Sequence, residues 1–279
     1  MSIIVSGASG QFGRRVAQFL IDNDTPDVVL VTRTPDALAD LDTEVRRADF
    51  DDPATLEAAF SGGHRLLLVS LPVIGARVPQ HKAAIEAARR AGIEHIAYTS
   101  IVNPGPENPA AVAAEHRETE QAIEASGLAY TFLRNSIYAD LQPRSAQAAI
   151  ASGRLVTNAG AGRTGYVTRE DCAAVAAAVL TGDGHEGQAY DVTGPEALNA
   201  DDLARLYAEL GGTPVEVVHV DDAAYAAGLV EHAGMPPGLA EIYATFGAAT
   251  RSGVLDVTTD VVERLTGRAP ANIRSVLWP

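Results

Sequence analysis

Three glycines spaced three apart, Gly7, Gly10 and Gly13, follow the apolar run Ile3–Ser6 and lead straight into FGRRVAQFL. A strand that passes through a tight glycine turn into a helix N-terminus brings backbone N–H groups and the positive end of the helix dipole together. That arrangement is a cradle for the pyrophosphate of a dinucleotide. Gly7 permits the sharp turn, Gly10 lets the backbone approach the phosphates, and Gly13 lets the helix pack closely on the strand. Ala8, Ser9, Gln11 and Phe12 complete the loop as cofactor-binding residues. A glycine turn elsewhere in a chain says little. Between a strand and a helix it commits the segment to a βαβ unit.

The pattern that follows agrees. Candidate strands are Ile3–Ser6, Val28–Thr32, Glu44–Ala48, Leu66–Ser70, Ile96–Thr99 and Tyr130–Leu133. Several are continuous apolar runs, as parallel strands covered by helices on both faces require. Helical patterns separate them at Gly13–Ile21, Pro35–Leu41, Pro53–Phe60, Pro79–Ala91 and Ala111–Ala125, and Thr34 and Asp52 are placed to cap two of these. The alternation predicts an α/β fold, a Rossmann-type doubly wound parallel sheet. After Arg134 a helix is expected over Ser136–Ala151, then the Gly-rich stretch SGRLVTNAGAGRTGYVT, a helix over Asp171–Leu180 and strands near Ala189–Val192 and Val215–Val220. Residues 1–153 are expected to form an NADP(H)-binding domain to which 164–194 return, with 195–279 as a small α/β substrate-binding lobe over the C-terminal edge of the sheet.

Composition narrows the class of partner. The chain has 279 residues, is 47% hydrophobic and carries a formal net charge of -15, so nucleic acid and anionic membranes are not expected as partners. No apolar run reaches the length of a membrane span, and the cytoplasm is the expected compartment. The single cysteine, Cys172, lies in the apolar run CAAVAAAVL, which fits a buried inert thiol; no cysteine-rich metal site is expected. Lys82 is the only lysine.

In a dinucleotide fold the tip of the second strand meets the adenosine ribose, where an acid selects NAD and an Arg holds the 2′-phosphate of NADP. Here VVLVT ends in Arg33 with no acid before it, which favours NADP(H) over NAD, the alternative being a solvated arginine at a strand end. Asp49, after the third strand, is placed to accept a bond from the adenine amino group. Ser70 and Leu71, ending the fourth, are placed to line the dinucleotide with backbone groups. Asn135, after the sixth, is placed either to bond the cofactor or to cap the next helix. Tyr138 and Tyr166 are candidate walls of the substrate pocket, in a chain whose other candidate pocket aromatics are Phe12, Tyr243 and Phe246.

The GxxGxxG spacing resembles the short-chain dehydrogenase/reductase superfamily, most of whose members use a Tyr-x-x-x-Lys pair. This chain lacks it, because Val78 stands four residues before Lys82. Ketone–alcohol chemistry, which must protonate a very basic alkoxide, is therefore disfavoured. Acceptors whose reduced form is a stabilised anion or a neutral species need less help. GASGQFG, PQHKAAIEAARRAGIEHIAYTS, EHRETEQAIEASGLAYTFLRNSIYAD, LVTNAGAG and VTREDCAAVAAAVL resemble the NmrA-like branch of atypical short-chain dehydrogenases. Within it the pattern is most similar to the type 2 NADPH:quinone oxidoreductases and triphenylmethane dye reductases. The resemblance implies an NADP(H)-binding core, a small substrate lobe, no metal and no flavin. Isoflavone-reductase-like members of the branch carry a catalytic Lys on the helix before the sixth strand, and by this resemblance His116 occupies that place. The alternative for His116 is a plain ion pair with Glu120 one turn on.

The expected function is hydride transfer from NADPH to a quinone or similar flat conjugated electrophile, a small-molecule electron acceptor. His116 or water would deliver the proton, and a homodimer is compatible with the chain. Two alternatives stand beside it: a non-catalytic NADP(H)-sensing regulator of NmrA type, and a pathway-specific reductase of a natural-product intermediate.

Overall fold

Continuous burial along the short apolar runs is what makes them strands of a covered parallel sheet. The strands are β1 (Ile3–Ser6), β2 (Val28–Thr32), β3 (Glu44–Arg47), β4 (Arg65–Leu68), β5 (His95–Ile101), β6 (Ala129–Asn135), β7 (Arg154–Thr157), β8 (Gln188–Val192) and β9 (Glu216–His219). In the computed structural model, which describes residues 2–278, seven of them form one parallel sheet in the order β3-β2-β1-β4-β5-β6-β8. The expected domain ends at 1 and 279 lie outside the described residues. The order reverses between β1 and β4, the switch point at which such sheets bind ligands. β7 and β9 pair in a second, parallel two-stranded sheet.

The helices are α1 (Gln11–Asp22), α2 (Leu56–Phe60), α3 (Arg77–Ala91), α4 (Ala111–Ala125), α5 (Gln142–Ser152), α6 (Arg169–Thr181), α7 (Ala200–Gly211), α8 (Asp222–Ala233), α9 (Pro237–Ser252), α10 (Val261–Thr266) and α11 (Arg274–Leu277). Side chains alternate across each strand. Ile3, Val5, Leu30, Leu67, Ala97 and Leu133 therefore pack on one face with α1, α6 and α10. Ile4, Val29, Leu66, Leu68, Ile96, Tyr98 and Phe132 pack on the other with α2, α3 and α4. A third core, around Leu155, Leu203, Leu206 and Tyr207, fills the small lobe. A fourth joins α4 to the end of α9.

Several local expectations are corrected. Pro35–Leu38 is a single 3-10 turn, not a helix to Leu41, and neither Thr34 nor Asp52 makes a side-chain cap. Thr34 Oγ1 instead lies 3.5 Å from Ser9 Oγ, and the Asp52 carbonyl accepts the Thr55 hydroxyl. No helix starts at Ser136. Its amide donates to the Val192 carbonyl, the chain stays extended to Tyr138, and α5 waits for Pro143 in its first turn. β7 lies in the Gly-rich stretch, where sequence pattern gave no strand. It needs β9, about sixty residues away, as its partner.

Candidate active site

Gly7 turns the chain at a φ of +61°, which glycine alone adopts without strain. The Gly10 amide closes the turn on the Gly7 carbonyl at 2.9 Å. A Cβ on Gly13 would sit 2.4 Å from that carbonyl oxygen, so only glycine lets α1 start this close to β1. α1 has no side-chain cap and no acid in its first turn. The amides of Gln11, Phe12 and Gly13 take no hydrogen bond among the described residues. Open first-turn amides at a helix dipole are a site for an anion, and these residues fit a pyrophosphate. Ala8 is fully buried behind the loop, and Ser9 Oγ bonds Thr32 Oγ1 at 2.7 Å, tying the loop to the tip of β2.

At that tip Arg33 is exposed and has no ion-pair or hydrogen-bond partner among the described residues. Arg14, by contrast, is tied to Asp40 and to the Ala37 carbonyl. A second exposed and unpartnered guanidinium, Arg47, ends β3 in register with Thr32. Nothing in EVRR signals it, because its place follows only from strand register. Asp49 is half-buried, and its Oδ1 accepts the Asp51 amide at 3.1 Å, holding its own turn.

The opposite end of the cleft is built by the tips of β4, β5 and β6. β4 leaves the ladder at Leu68, short of the expected Ser70, and side chains replace the lost ladder bonds. The amides of Val69, Ser70 and Leu71 donate to Ser6 Oγ (3.0 Å), Thr99 Oγ1 (2.7 Å) and His81 Nε2 (3.1 Å). Ser100 Oγ near the end of β5, and Asn135 Oδ1 and Ser136 Oγ at the end of β6, are buried without a hydrogen-bond partner among the described residues. Buried polar atoms are rarely left so, and the two at the end of β6 fit a polar ligand. Asn135 Nδ2 donates to Tyr138 Oη at 3.1 Å. The Tyr138 ring stacks on Phe12 at 6.5 Å and lies 4.7 Å from the Arg169 guanidinium. Burial raises the Tyr138 hydroxyl above its ordinary range, so it is a neutral phenol.

Tyr166 is partly buried. Its ring packs against the small-lobe core, and burial pushes its hydroxyl up to about 12. Near this end of the sheet Ile74, Ile101, Ile137 and Phe246 form an apolar cluster, partly buried around Ala113, Ala249 and Leu255. Single aliphatic residues at strand ends carry no sequence signal, and only Phe246 was legible.

His116 is only 4% exposed. Its Nδ1 lies 2.9 Å from Tyr98 Oη and its Nε2 3.3 Å from Arg77 Nη1. Burial first, then the positive charge of Arg77, hold it well below the ordinary histidine range, so the ring is neutral. Glu120 does not pair with it but grips Arg134, at 2.7 Å and 3.1 Å. Cys172 is buried and its thiol is pushed up by burial.

Fold and cleft together define a dinucleotide-binding Rossmann protein with a small second sheet and its helices. A family model described as NAD(P)H-binding matches residues 7–183. Quinone oxidoreductase 2 of Escherichia coli is 36% identical over 269 residues, 95% of this chain and 93% of that protein. The structure of that protein with NADPH superposes with a TM-score of 0.94 at 35% identity, covering 98% of each chain. The NAD(P)H azoreductase of Xenophilus azovorans is 31% identical over 272 residues, 95% of this chain and 93% of its own. Triphenylmethane reductase of a Citrobacter species, solved with NADP(H), matches with a TM-score of 0.90 at 34% identity over 99% of each chain. The chain belongs to the NAD(P)H-binding NmrA-like family, and these relatives are NAD(P)H-dependent oxidoreductases.

Proposed function

We propose that the protein is an NADPH-dependent reductase acting on a quinone or another flat conjugated electrophile. The observation that carries this reading is the make-up of one sheet edge. Open α1 amides, the free Arg33 and the unpartnered Asn135 Oδ1 and Ser136 Oγ stand beside an apolar cluster with no Tyr–Lys acid pair. The names of the relatives support it, since quinones, azo compounds and triphenylmethane dyes share an extended conjugated skeleton.

Each role follows from the local chemistry. Residues 7–13 take the pyrophosphate, Arg33 the 2′-phosphate, and Asp49 the adenine edge. The Ser70–Leu71 backbone and Asn135 border the nicotinamide. Bound NADPH supplies the hydride. Ile74, Ile101, Ile137 and Phe246 hold the acceptor flat and exclude water, which is catalysis chiefly by orientation. A quinone that gains hydride becomes a phenolate-type anion, which water protonates. The neutral His116, with both nitrogens committed inside the protein, is not needed as the acid.

The test is the fall of NADPH absorbance with and without 1,4-benzoquinone, with NADH run alongside. Saturable, enzyme-dependent oxidation preferring NADPH is the expected result. Tight NADPH binding without turnover of quinones or cationic dyes would replace the reductase with an NADP(H) sensor.

A further inference from the structure

From beyond the end of β4 into the first residue of α3 runs a segment, Leu71 to Arg77, that is pinned at both ends to side chains of α3 and α4. At its start the Leu71 amide donates to His81 Nε2. An amide can only donate, so Nε2 is the bare nitrogen of a neutral ring and Nδ1 carries the hydrogen. That hydrogen goes to Thr119 Oγ1 on α4, at 3.0 Å, and the Thr119 hydroxyl in turn donates to the Glu115 carbonyl at 2.9 Å. The same logic fixes the neighbouring histidine. Arg77 can only donate, so His116 Nε2 accepts and its Nδ1–H points to Tyr98 Oη. The His81 and Tyr98 rings meet edge to face at 5.6 Å. At the segment's far end Glu115 Oε1 accepts the Gly75 amide at 2.6 Å, and Glu115 pairs with Arg77 at 2.8 Å.

His81 and Tyr98 are completely buried. An aliphatic side chain would fill the place of His81 without the cost of burying an imidazole, unless an acceptor is required there. The acceptor serves one group, the Leu71 amide. What hangs between the two pins is functional surface: the Leu71 backbone at the nicotinamide end, and Ile74 in the apolar cluster.

We propose that His81 is a positioning residue for hydride transfer. From inside the fold it fixes the Leu71–Arg77 segment, and so sets the nicotinamide edge and Ile74 against each other, with Thr119, Tyr98, His116 and the Glu115–Arg77 pair as its braces. The proposal rests on the reading of this end of the cleft as the nicotinamide and acceptor site. His81 touches neither ligand and acts through Leu71. Its loss therefore leaves the pyrophosphate and adenosine contacts whole and falls on orientation, where a displacement of one ångström suffices to slow a reaction on the order of a hundredfold.

The experiment compares wild type, His81→Leu, His81→Gln and Thr119→Val for NADPH Kd by fluorescence and for kcat with a quinone acceptor. In His81→Leu, kcat should fall about tenfold or more while Kd rises less than about threefold. His81→Gln, whose Oε1 can accept the Leu71 amide, should recover most of kcat. Thr119→Val removes the acceptor that fixes the His81 tautomer and should show the same split in milder form. It decides the matter if the His81 variants do not fold. Equal kcat loss in Leu and Gln variants, or wild-type kcat in Thr119→Val, overturns the positioning role. A wild type that binds no NADPH overturns the reading of the cleft itself, and this inference with it.

Discussion

Arg33 shows how much a single residue can declare. A guanidinium at the tip of β2, exposed and without a partner among the described residues in a chain of net charge -15, has no structural duty to explain it. Its position after VVLVT was legible because the second strand of a dinucleotide fold has one function at its end. Arg47 was not legible, because it stands beside Thr32 only through the β2–β3 register. His116 marks the limit of such reading. Its sequence context offered an ion pair with Glu120, and the structure instead bonds its ring to Tyr98 and Arg77 while Glu120 holds Arg134. Arg33→Ala should weaken NADPH binding by roughly tenfold or more, as loss of a charge-assisted phosphate contact does, and leave NADH unchanged. Fluorescence titration with both cofactors checks it. Equal losses would reject the phosphate contact.

Elements with strong local signals were read well, and those that need a distant partner were not. β1, β2 and α4 fall where their apolar periodicity put them. β7 and the late start of α5 depend on β9 and on the extended chain after β6, which no local pattern encodes. α3 and α4 carry a further consequence of their packing. Burial and the charge of Arg77 depress His81 to about 3 and hold His116 well below 6.5. The folded state thus refuses protons that the unfolded chain takes up below pH 6.5. The stability these rings carry is whole above that pH and is lost as the pH falls toward 3. For His81 that loss is on the order of 1 kcal/mol per pH unit within the window, and His116 moves in the same direction. Urea melts at pH 7.5 and at pH 5 should therefore show a marked loss that His81→Gln reduces. An unchanged pH dependence in that variant would mean the buried ring is not the cause.

For the molecule as a whole, the question is whether the two lobes fold as one. The chain crosses between the layers more than once: α5 and β7 lie in the small lobe, α6 and β8 return to the Rossmann layer, α7 and β9 go back to the small lobe, and α10 returns again, its Val261 and Val262 in the same core as α1 and α6. A Cβ on Gly162 would lie 2.0 Å from the Thr250 carbonyl oxygen, so the stretch after β7 and the end of α9 are in backbone contact. Asp171 closes the circuit. Only 2% exposed, its Oδ2 accepts the Thr168 hydroxyl and the Ala271 amide, both at 2.8 Å, while Thr168 caps α6 in return. One buried carboxylate thus ties the chain's last segment to the first turn of a central helix. Asp171→Ala leaves the Ala271 amide without its partner and should cost about 2–4 kcal/mol. If the lobes are a single cooperative unit, that loss lowers the urea midpoint of one transition with its slope unchanged. A second transition appearing in the variant would mean that Asp171 fastens two bodies able to unfold apart, and the small lobe would then be free to move on its own.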